Sequence, residues 1–273
     1  MKILAIFTCF NRKDKTENCI RTIVAGNPEC EFTFAIADDG STDGTDERLR
    51  ELSKKFDIRI LRGNGNWFYS GGMHAGMEYA LKKLPHLYDY MLMMNDDVEF
   101  LPGSIQNIIA QSKEQQNAVV VGAMRNEVGE MSYGAVKYTS GYKYKKLNTS
   151  EWEIPADTFN ANCVLVPYNW FEKVGSMDDH YRHSLGDFDY GLTLKKNGCK
   201  IYSSRNFVGM CNNNSNKDTW TDTSLKRSDR IRKKESVKGA PTKQWFYFLY
   251  KNFGLVIAFK GVITPYIRIL LGK

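Results

Sequence analysis

Long apolar stretches are missing from this 273-residue sequence. The best candidate for a membrane span, Phe253 to Leu271, is interrupted by Lys260, Pro265 and Arg268, whereas a spanning helix needs about 20 predominantly apolar residues. The apolar stretch at the N-terminus is equally short, because the polar run Asn11 to Asp14 follows it at once. We therefore expect neither a transmembrane helix nor a secretory signal.

Closely spaced cysteine pairs are also missing. The six cysteines include no C-x-x-C pair, which argues against a zinc site of that kind. Cys9 and Cys163 lie within apolar runs and are predicted to be buried core residues. Free thiols suit a reducing compartment, so a cytoplasmic protein is expected.

The overall composition is that of a soluble globular protein. Hydrophobic residues make up 42% and charged residues 25% of the chain. The net charge of +7 allows a polyanionic partner, whether a diphosphate, an anionic membrane surface or nucleic acid. Residues 221–240 are basic but contain no aromatic side chain. Nucleic-acid binding by stacked bases is therefore not expected.

The first half of the sequence alternates between strand-like and helix-like segments. Such a rhythm predicts an α/β fold with a mostly parallel, doubly wound (Rossmann-like) sheet and helices on both faces. Helices are expected over 14–25, 45–56 and 70–84 and from Pro102 onward. The predicted strands are 3–7, 32–37, 58–61, 90–94 and 118–121.

The pattern changes after about residue 125. Residues 128–160 suggest a hairpin or excursion, followed by a buried strand at 163–166 and a helix at 185–196. Residues 212–240 are polar and basic, and 244–271 are aromatic and aliphatic. We predict a catalytic domain over 1–210, divided into halves 1–125 and 126–210, with a C-terminal helical and basic extension over 211–273.

Polar clusters stand at the ends of three predicted strands, where open parallel sheets bind their ligands. They are Thr8 to Arg12, Asp38 to Asp43, and the triplet Asn95-Asp96-Asp97. A pair of carboxylates after a Met-rich strand is costly unless something neutralises it. Mg²⁺ or Mn²⁺ would do so, because hard cations prefer carboxylate oxygens and bridge to phosphates.

These motifs, in this order, are similar to those of the family 2 glycosyltransferases of the GT-A fold. The resemblance rests on TCFNR at 8–12, ADDGSTDGT at 37–45, NDD at 95–97 and GDFDYGLTLKKNG at 186–198, and it extends from residue 1 to about 210. It implies an inverting sugar transfer from a nucleoside diphosphate sugar, with UDP- or dTDP-sugars expected, to a hydroxyl of a saccharide or lipid-linked acceptor. The implied setting is surface-polysaccharide assembly at the inner face of the cell membrane.

The resemblance also implies roles for individual residues. Asp187 resembles the catalytic base, with Asp189 as the alternative, since Gly186 replaces a glutamate that the family often has. Asp97 resembles the metal-binding carboxylate. The residues expected to hold the nucleotide sugar are Thr8, Asn11, Arg12, Asp38 at the nucleobase, its neighbour Asp39, and Asp96 at the ribose.

Several segments allow a structural or a functional interpretation. Gly71 and Gly72 are interpreted as a close backbone approach at a helix N-terminus facing the donor pocket, or as a simple turn. Asp43 is predicted to cap the following helix. His180 and His183 are expected to be surface or packing residues, with contact to the acceptor or the metal as the alternative. Donor specificity is placed in 66–69. The candidates for the acceptor site are residues 128–162, including Trp152, Asn160 and Asn162.

The basic and aromatic C-terminal segments also leave two interpretations each. The run from Lys226 to Lys234 is either a solvated, mobile segment or a functional one, namely a lid over the diphosphate or a dock for a lipid-linked pyrophosphate. The aromatic stretch from Trp245 suggests either peripheral membrane contact or helices packed on the catalytic domain.

A sugar nucleotidyltransferase is the alternative enzyme. It would favour a glycine-rich loop after the first strand, where TCFNR has no glycine.

Overall fold

The structure is a computed structural model that describes residues 1–273. Its strands are β1 (Lys2–Cys9), β2 (Glu31–Asp38), β3 (Asp57–Arg62), β4 (Tyr90–Met94), β5 (Glu99–Phe100), β6 (Val119–Arg125), β7 (Ala135–Ser140), β8 (Lys143–Lys146), β9 (Thr158–Phe159), β10 (Cys163–Pro167) and β11 (Ile201–Met210). Its α-helices are α1 (Lys13–Gly26), α2 (Thr45–Leu52), α3 (Phe68–Lys83), α4 (Ser104–Glu114), α5 (Tyr168–Val174), α6 (Gly186–Lys196), α7 (Arg227–Lys234), α8 (Thr242–Phe253) and α9 (Leu255–Leu270).

Eight strands form one sheet in the order β3-β2-β1-β4-β10-β6-β11-β5. β3, β2, β1 and β4 are mutually parallel, and β6 and β11 form a second parallel pair. β10 runs antiparallel between β4 and β6, and β5 runs antiparallel at the edge beside β11. The predicted mostly parallel α/β sheet is confirmed, with the two antiparallel strands as the exception.

Helices cover both faces of this sheet, as the sequence predicts. Alternate residues of β1 point to opposite faces, because side chains alternate along a strand. Ile3 and Phe7 pack with α1, α2 and α4, while Leu4 and Ile6 pack with α3, α5 and α6. All six cysteines are free and buried, including Cys9 and Cys163. The core therefore lies in two apolar layers, one on each side of the sheet.

The predicted strands in the first half match the observed ones to within four residues at either end. The sequence analysis missed β11, a ten-residue strand. Its residues Ser203, Ser204, Arg205 and Asn206 interrupt the apolar pattern, and the strand carries register shifts against β6 in the same region. Hydrophobic alternation alone could not reveal this strand.

The predicted excursion between β6 and β10 is a second, three-stranded sheet of order β8-β7-β9. The turn between β7 and β8 contains Gly141, with a φ of 55°. A left-handed backbone of this kind favours glycine, so the residue suits the reversal of the hairpin. The small sheet places Tyr138 opposite Tyr144.

The basic run at 226–234 contains a helix, α7, and its residues Lys226, Arg227 and Arg232 are solvent-exposed. Arg230 and Lys234 are buried. The guanidinium of Arg230 donates to the carbonyl oxygens of Trp220 and Lys273, and Lys234 Nζ donates to Glu235 and Thr242. These two cations hold the C-terminal segment together.

The two C-terminal helices pack on the rest of the molecule through one of their faces. Phe248 and Leu249 of α8 are buried against Tyr181 and Leu192. α9 packs on α8 and exposes much of its other side. No helix of the structure combines the length and the apolar character needed to cross a membrane.

Candidate active site

A cavity of about 710 Å³ lies at the carboxyl ends of β1 and β4, beside the N-terminus of α6. The parallel strands bring these ends to one edge of the sheet, where polar loops can meet. Six of the predicted site residues line the cavity: Thr8, Arg12, Asp39, Asp96, Asp97 and Asp187. Acids separated by 90 residues in sequence therefore face a common space.

The acid pair after β4 is held by Arg12. The Arg12 Nη1 atom lies 2.9 Å from Asp96 Oδ1 and 2.8 Å from Asp97 Oδ2. Asp96 is buried, and burial raises the pKa of its carboxyl to about 6 although Arg12 opposes the rise. Asp97 is more exposed than Asp96, with 23% of its side chain accessible. Asp97 is therefore the member of the pair that a ligand can reach.

The residues around Asp97 fit a hard divalent cation. The second carboxylate oxygen, Asp97 Oδ1, has only the thiol of Cys211 near it, at 3.7 Å. Asn95 Oδ1, in the same cavity lining, is a buried oxygen without a hydrogen-bond partner. Oxygen atoms of these two kinds are the ligands that Mg²⁺ and Mn²⁺ prefer. The chemistry of this corner therefore matches the predicted cofactor.

Asp187 lies in the first turn of α6 and lines the same cavity. Its carboxylate accepts hydrogen bonds from the backbone N–H groups of Phe188, at 2.9 Å, and Ala161, at 3.3 Å. No basic side chain pairs with it. Burial raises the pKa of Asp187 to about 6. A carboxylate of this pKa is ionised at neutral pH and is a stronger proton acceptor than an exposed one.

The segment before α6 is docked on the start of α3. Ser70 Oγ donates to the carbonyl of His183, and the Gly71 N–H donates to the carbonyl of Arg182. Leu185, the residue before α6, has a φ of 77°. A branched residue rarely adopts this left-handed conformation, and such strain is concentrated at functional sites. The docking fixes the position from which Asp187 enters the cavity.

Gly186 is required by the same docking. A Cβ atom at this position would lie 2.5 Å from Met177 Sδ and 2.6 Å from Ser70 Oγ. The glutamate that the family often has would not fit between α6 and α3 in this packing. The departure from the family motif therefore has a steric reason.

We expect Gly186→Ala to lower the free energy of unfolding by about 1–3 kcal/mol, because the added methyl group overpacks the contact with Ser70. Urea denaturation of the purified protein would measure it. Gly71→Ala is the matched control, since a Cβ there meets only Trp67 Cβ at 3.7 Å. That control should be neutral or slightly stabilising, because alanine has the higher helix propensity. Equal effects of the two substitutions would contradict the steric explanation.

Asp39 organises the loop between β3 and α3. Its carboxylate is buried and accepts backbone N–H bonds from Gly65, Trp67 and Phe68, at 2.8 to 3.1 Å. Phe68 lines the cavity with a φ of 54°, a second strained position at this site. Asp39 thus shapes the cavity wall on the side where donor specificity was predicted.

Asp38 and Asn11 do not line the cavity. Asp38 Oδ1 accepts hydrogen bonds from the backbone and hydroxyl of Ser41, and burial raises the pKa of its carboxyl. Asn11 receives the Thr42 N–H on its side-chain oxygen and donates its own N–H to Ser41. In this structure both residues tie together the loops after β1 and β2. Their contact with the nucleotide stays a prediction.

Asp43 binds at the starts of two helices. Its carboxylate accepts from the backbone of Thr45 at the start of α2 and from the backbone of Lys13 at the start of α1. Gly44 occupies the N-cap position of α2, so Asp43 acts from one residue earlier than predicted. Arg12 occupies the N-cap position of α1.

Gly71, Gly72 and Asp189 are also outside the cavity. A Cβ on Gly72 would lie 2.6 Å from Thr8 Oγ1, so this glycine allows α3 to approach β1. The close approach is as predicted, but it serves helix–strand packing and does not face the cavity. Asp189 is buried and is bound by Lys251 Nζ at 2.7 Å and Asn252 Nδ2 at 2.8 Å. It ties α6 to α8, which leaves Asp187 as the carboxylate of this motif at the site.

Beside Asp187, the cavity has an aromatic wall whose rings the sequence analysis did not single out, although 138–144 fall within its predicted acceptor range 128–162. It consists of Tyr138, Tyr142, Tyr144, Phe188, Trp245 and Phe248. Neighbouring rings contact each other: Tyr142 and Trp245 have centroids 5.5 Å apart, and Tyr144 and Phe188 are 5.3 Å apart. The signal available in the sequence was the tyrosine at every second or fourth position from 138 to 144.

Of the predicted acceptor candidates, Asn160 and Asn162 line the cavity, but Trp152 does not. Instead, the centroid of the Trp152 ring lies 4.1 Å from the Arg205 guanidinium carbon. A tryptophan ring can stack on an arginine guanidinium as well as on a sugar. The residue type of Trp152 alone therefore could not predict whether it lies in the acceptor site.

The C-terminal extension contributes directly to the cavity through Asn212, Asn214 and Lys238, besides Trp245 and Phe248. No residue of the basic run 226–234 lines it, so the prediction of a lid formed by that run is not supported by this structure. Lys238, a few residues further on, is the lysine that does line it. The cavity therefore draws residues from all three predicted parts of the chain.

The two histidines before α6 differ in their surroundings. His180 stacks on Tyr247 with ring centroids 4.2 Å apart and lies beside Asp178 and Asp179. This acidic cluster is on the surface, and Asp178 is already bound by Lys251 and Tyr247. His183 lines the cavity; burial lowers its pKa, together with Lys238 and Arg12. It is therefore a neutral side chain at the site, whereas His180 is a packing residue.

The sequence matches a family model described as "Glycosyl transferase family 2" over residues 5–175. The match ends before the motif at 186–198. Among curated proteins, an N-acetylglucosaminyl-diphospho-decaprenol L-rhamnosyltransferase of Mycobacterium tuberculosis is 23% identical over 190 residues, which is 60% of this chain and 61% of the relative. A hyaluronan synthase of Pasteurella multocida is 22% identical over 71% of this chain and 22% of its own length. The chain thus spans about three fifths, or less, of these relatives.

Solved structures share the fold at low identity. S. aureus TarS 1-349 has a TM-score of 0.57 and 14% identity, covering 98% of this chain and 81% of that one. The mannosyltransferase PcManGT from Pyrobaculum calidifontis, in complex with GDP-Man and Mn²⁺, has a TM-score of 0.60 and 10% identity, covering 98% and 70%. These likenesses confirm the predicted GT-A-type architecture.

Proposed function

Because the chain belongs to glycosyl transferase family 2, we propose that it is an inverting, metal-dependent glycosyltransferase. It takes a sugar from a nucleoside diphosphate sugar and delivers it to a hydroxyl group. The observation that carries this proposal is the shared cavity, in which Asp97 and Asp187 lie with the cationic side chains of Arg12 and Lys238. This reaction needs a carboxylate that binds the cation, a base that takes the proton of the hydroxyl, and positive charge that stabilises the diphosphate.

On the donor side, Asp97 and the oxygen of Asn95 would hold Mg²⁺ or Mn²⁺. When bound, the cation would stabilise the charge that develops on the diphosphate leaving group. Arg12 and Lys238 add positive charge beside it. Thr8, Asp39 and Asp96 line the donor end with them. A UDP- or dTDP-sugar is the proposed donor.

On the acceptor side, Asp187 is the proposed base. Its carboxylate takes the proton of the attacking hydroxyl as the hydroxyl oxygen bonds to the anomeric carbon of the donor. The bond from that carbon to the diphosphate breaks in the same step, so the configuration at the carbon inverts. A single displacement of this kind needs one base and no covalent intermediate.

The aromatic wall supports a saccharide acceptor. Aromatic rings offer flat apolar faces on which the C–H groups of a sugar ring can pack, while Asn160 and Asn162 offer polar contacts nearby. The relative from M. tuberculosis is named for a diphospho-decaprenol acceptor, which favours a lipid-linked saccharide. The proposed setting is the cytoplasmic face of a membrane during surface-polysaccharide assembly, and the six free, buried thiols suit that compartment.

In this proposal residues 1–125 form the donor half and 126–210 the acceptor half. Residues 211–273 contribute to both ends, since Lys238 lies on the donor side and Trp245 and Phe248 belong to the aromatic wall.

A thermal-shift screen of UDP-, dTDP- and GDP-sugars, each with and without Mn²⁺, tests the proposal. We expect sugars of one nucleotide class to raise the melting temperature only when Mn²⁺ is present, because a bound ligand stabilises the folded state. The selected donor should then release its nucleoside diphosphate slowly in water. Pyrophosphate release from a nucleoside triphosphate, or no response to any donor, would contradict the proposal.

A further inference from the structure

The last helix, α9, packs on the molecule in an unusual way. The buried residues of α9 are Ala258, Gly261 and Ile269. A Cβ on Gly261 would lie 2.2 Å from Leu249 Cδ1, so glycine allows α9 to approach α8 closely. Most of the large apolar side chains of α9 are exposed instead, with Ile269 as the buried exception. Over its first two turns, this helix therefore packs on α8 through small residues and leaves large apolar residues at the surface.

The outward residues form one stripe, which we call the α9 stripe: Val256, Phe259, Ile263, Ile267 and Leu270. They are 49% to 67% exposed. Their spacing of three or four residues places them on one side of the helix along its whole length. Large contiguous apolar surfaces of this kind are rare on soluble proteins and mark interaction sites.

The charges around the stripe identify what it meets. Residues 236–273 contain six lysine or arginine residues and no aspartate or glutamate. Lys260 is exposed and directly borders the stripe, and Lys243 and Arg268 are exposed on the same helix pair. None of these three forms an ion pair with an acidic side chain of the protein. Their charge is therefore available to an anionic partner.

We propose that the α9 stripe docks on the surface of an anionic lipid bilayer, with α9 lying in the plane of the interface. A helix with one apolar face and bordering lysines binds in this way, since its apolar side chains enter the acyl boundary while the cations meet anionic headgroups. A sixteen-residue helix is too short to span the bilayer, so the contact is peripheral.

The docking surface is connected to the cavity through Trp245. The Trp245 ring belongs to the aromatic wall, and its indole N–H donates to the Gly261 carbonyl of α9 at 3.0 Å. One layer of α8 therefore separates the cavity from the bilayer. This arrangement suits an acceptor whose saccharide enters the cavity while its lipid stays in the membrane. That consequence rests on the proposed function, but the docking of α9 on a bilayer is independent of it.

Flotation of the full-length protein with vesicles tests the docking without any sugar donor. We expect binding to vesicles of phosphatidylcholine with phosphatidylglycerol, weaker binding to phosphatidylcholine alone, and loss of most binding in high salt. The double variant Phe259→Ser with Ile263→Ser should reduce the bound fraction at least about tenfold, because the removed apolar groups no longer enter the bilayer. Lys260→Glu should weaken binding to the anionic vesicles alone.

The matched control is Leu87→Ser with Val128→Ser, two apolar side chains 67% and 78% exposed elsewhere on the surface. It should bind like the wild type. Unchanged melting temperatures would show that both double variants are folded. Wild-type protein that stays with the buffer, or equal binding of the two double variants, would overturn the proposal. Sedimentation showing a dimer that the α9 variant dissociates, with no vesicle binding, would assign the stripe to a second copy of the chain instead.

Discussion

Asp187→Asn is expected to lower turnover by about 10³-fold while leaving the donor affinity within a few-fold of wild type. The amide cannot accept the proton of the acceptor hydroxyl, and general-base catalysis contributes about 10²–10⁴-fold. The donor would bind at the other end of the cavity, around Asp97 and Arg12. Single-turnover rates with a saturating donor, together with donor titrations, would separate the two quantities.

The pH dependence of the wild type provides a second measure of the same residue. The pKa of Asp187 is raised to about 6 by burial, so its basic form is lost as the pH falls through 6. We expect kcat/KM to fall about tenfold per unit below that value. The stability of the fold depends on pH in the opposite direction. Because the folded-state pKa of Asp187 is raised, its carboxyl group stabilises the fold fully below about pH 4, and this contribution is lost as the pH rises through 6.

Asp189→Asn is the matched control, since it makes the same chemical change two residues away on the same helix. Asp189 is bound to Lys251 and Asn252 and faces away from the cavity. The substitution should cost about 1–3 kcal/mol of stability, because it removes the charged hydrogen bond between buried Asp189 and Lys251. The rate per folded molecule should stay within a few-fold of wild type. A rate loss equal to that of Asp187→Asn would sink the assignment of the base.

Asp97→Asn is expected to abolish the effect of Mn²⁺ on donor binding and to slow turnover by about 10²–10³-fold. Stabilisation of leaving-group charge by a cation contributes several kcal/mol, and each 1.4 kcal/mol corresponds to tenfold in rate. Arg12 would retain Asp96 as its partner, at 2.9 Å, so the loop should keep its structure. Calorimetric titration of the donor with and without Mn²⁺ would measure the effect.

Asp179→Asn is the control for this prediction. Asp179 belongs to the acidic cluster with Asp178 and His180 on the surface, outside the cavity. Its substitution should leave the Mn²⁺-dependent donor affinity unchanged. If instead Asp179→Asn removed the metal effect and Asp97→Asn kept it, the cation would be assigned to that surface cluster.

Part of the site was predictable because its chemistry is local in sequence. The change from the apolar residues Tyr90–Met94 to the polar triplet Asn95-Asp96-Asp97 indicates polar groups at the end of a buried strand. The end of β1 at Cys9 and the end of β2 at Asp38 are marked in the same way. Since parallel strands bring such ends to one edge of the sheet, the presence of a site there follows from alternation and residue type.

Which carboxylate of each pair faces the cavity was not predictable in that way. Asp38 and Asp39 are both buried after the same strand, yet Asp38 binds Ser41 while Asp39 binds the loop at 65–68. Asp187 and Asp189 are two residues apart on one helix, about 200° around its axis. Their opposite directions were decided by where α6 docks, and the docking depends on Ser70 of α3 and on Lys251 of α8.

The aromatic wall illustrates the same limit over a longer distance. Tyr142 and Trp245 are about a hundred residues apart, and neither lies in a motif. They meet because the small sheet and α8 pack together at the open end of the cavity. Aromatic residues are common in cores as well as in binding sites, so only contact could distinguish the two uses.

The sequence by itself determined the α/β alternation, the family and the edge of the sheet at which the chemistry lies. These depend on hydrophobic period and on short motifs, which are properties of neighbouring residues. The tertiary structure alone decided that Asp187 and Asp97 share one cavity, that Gly186 has no room for a side chain, and that α9 exposes the apolar stripe from Val256 to Leu270. Those facts depend on contacts between segments far apart in the chain, which no local pattern records.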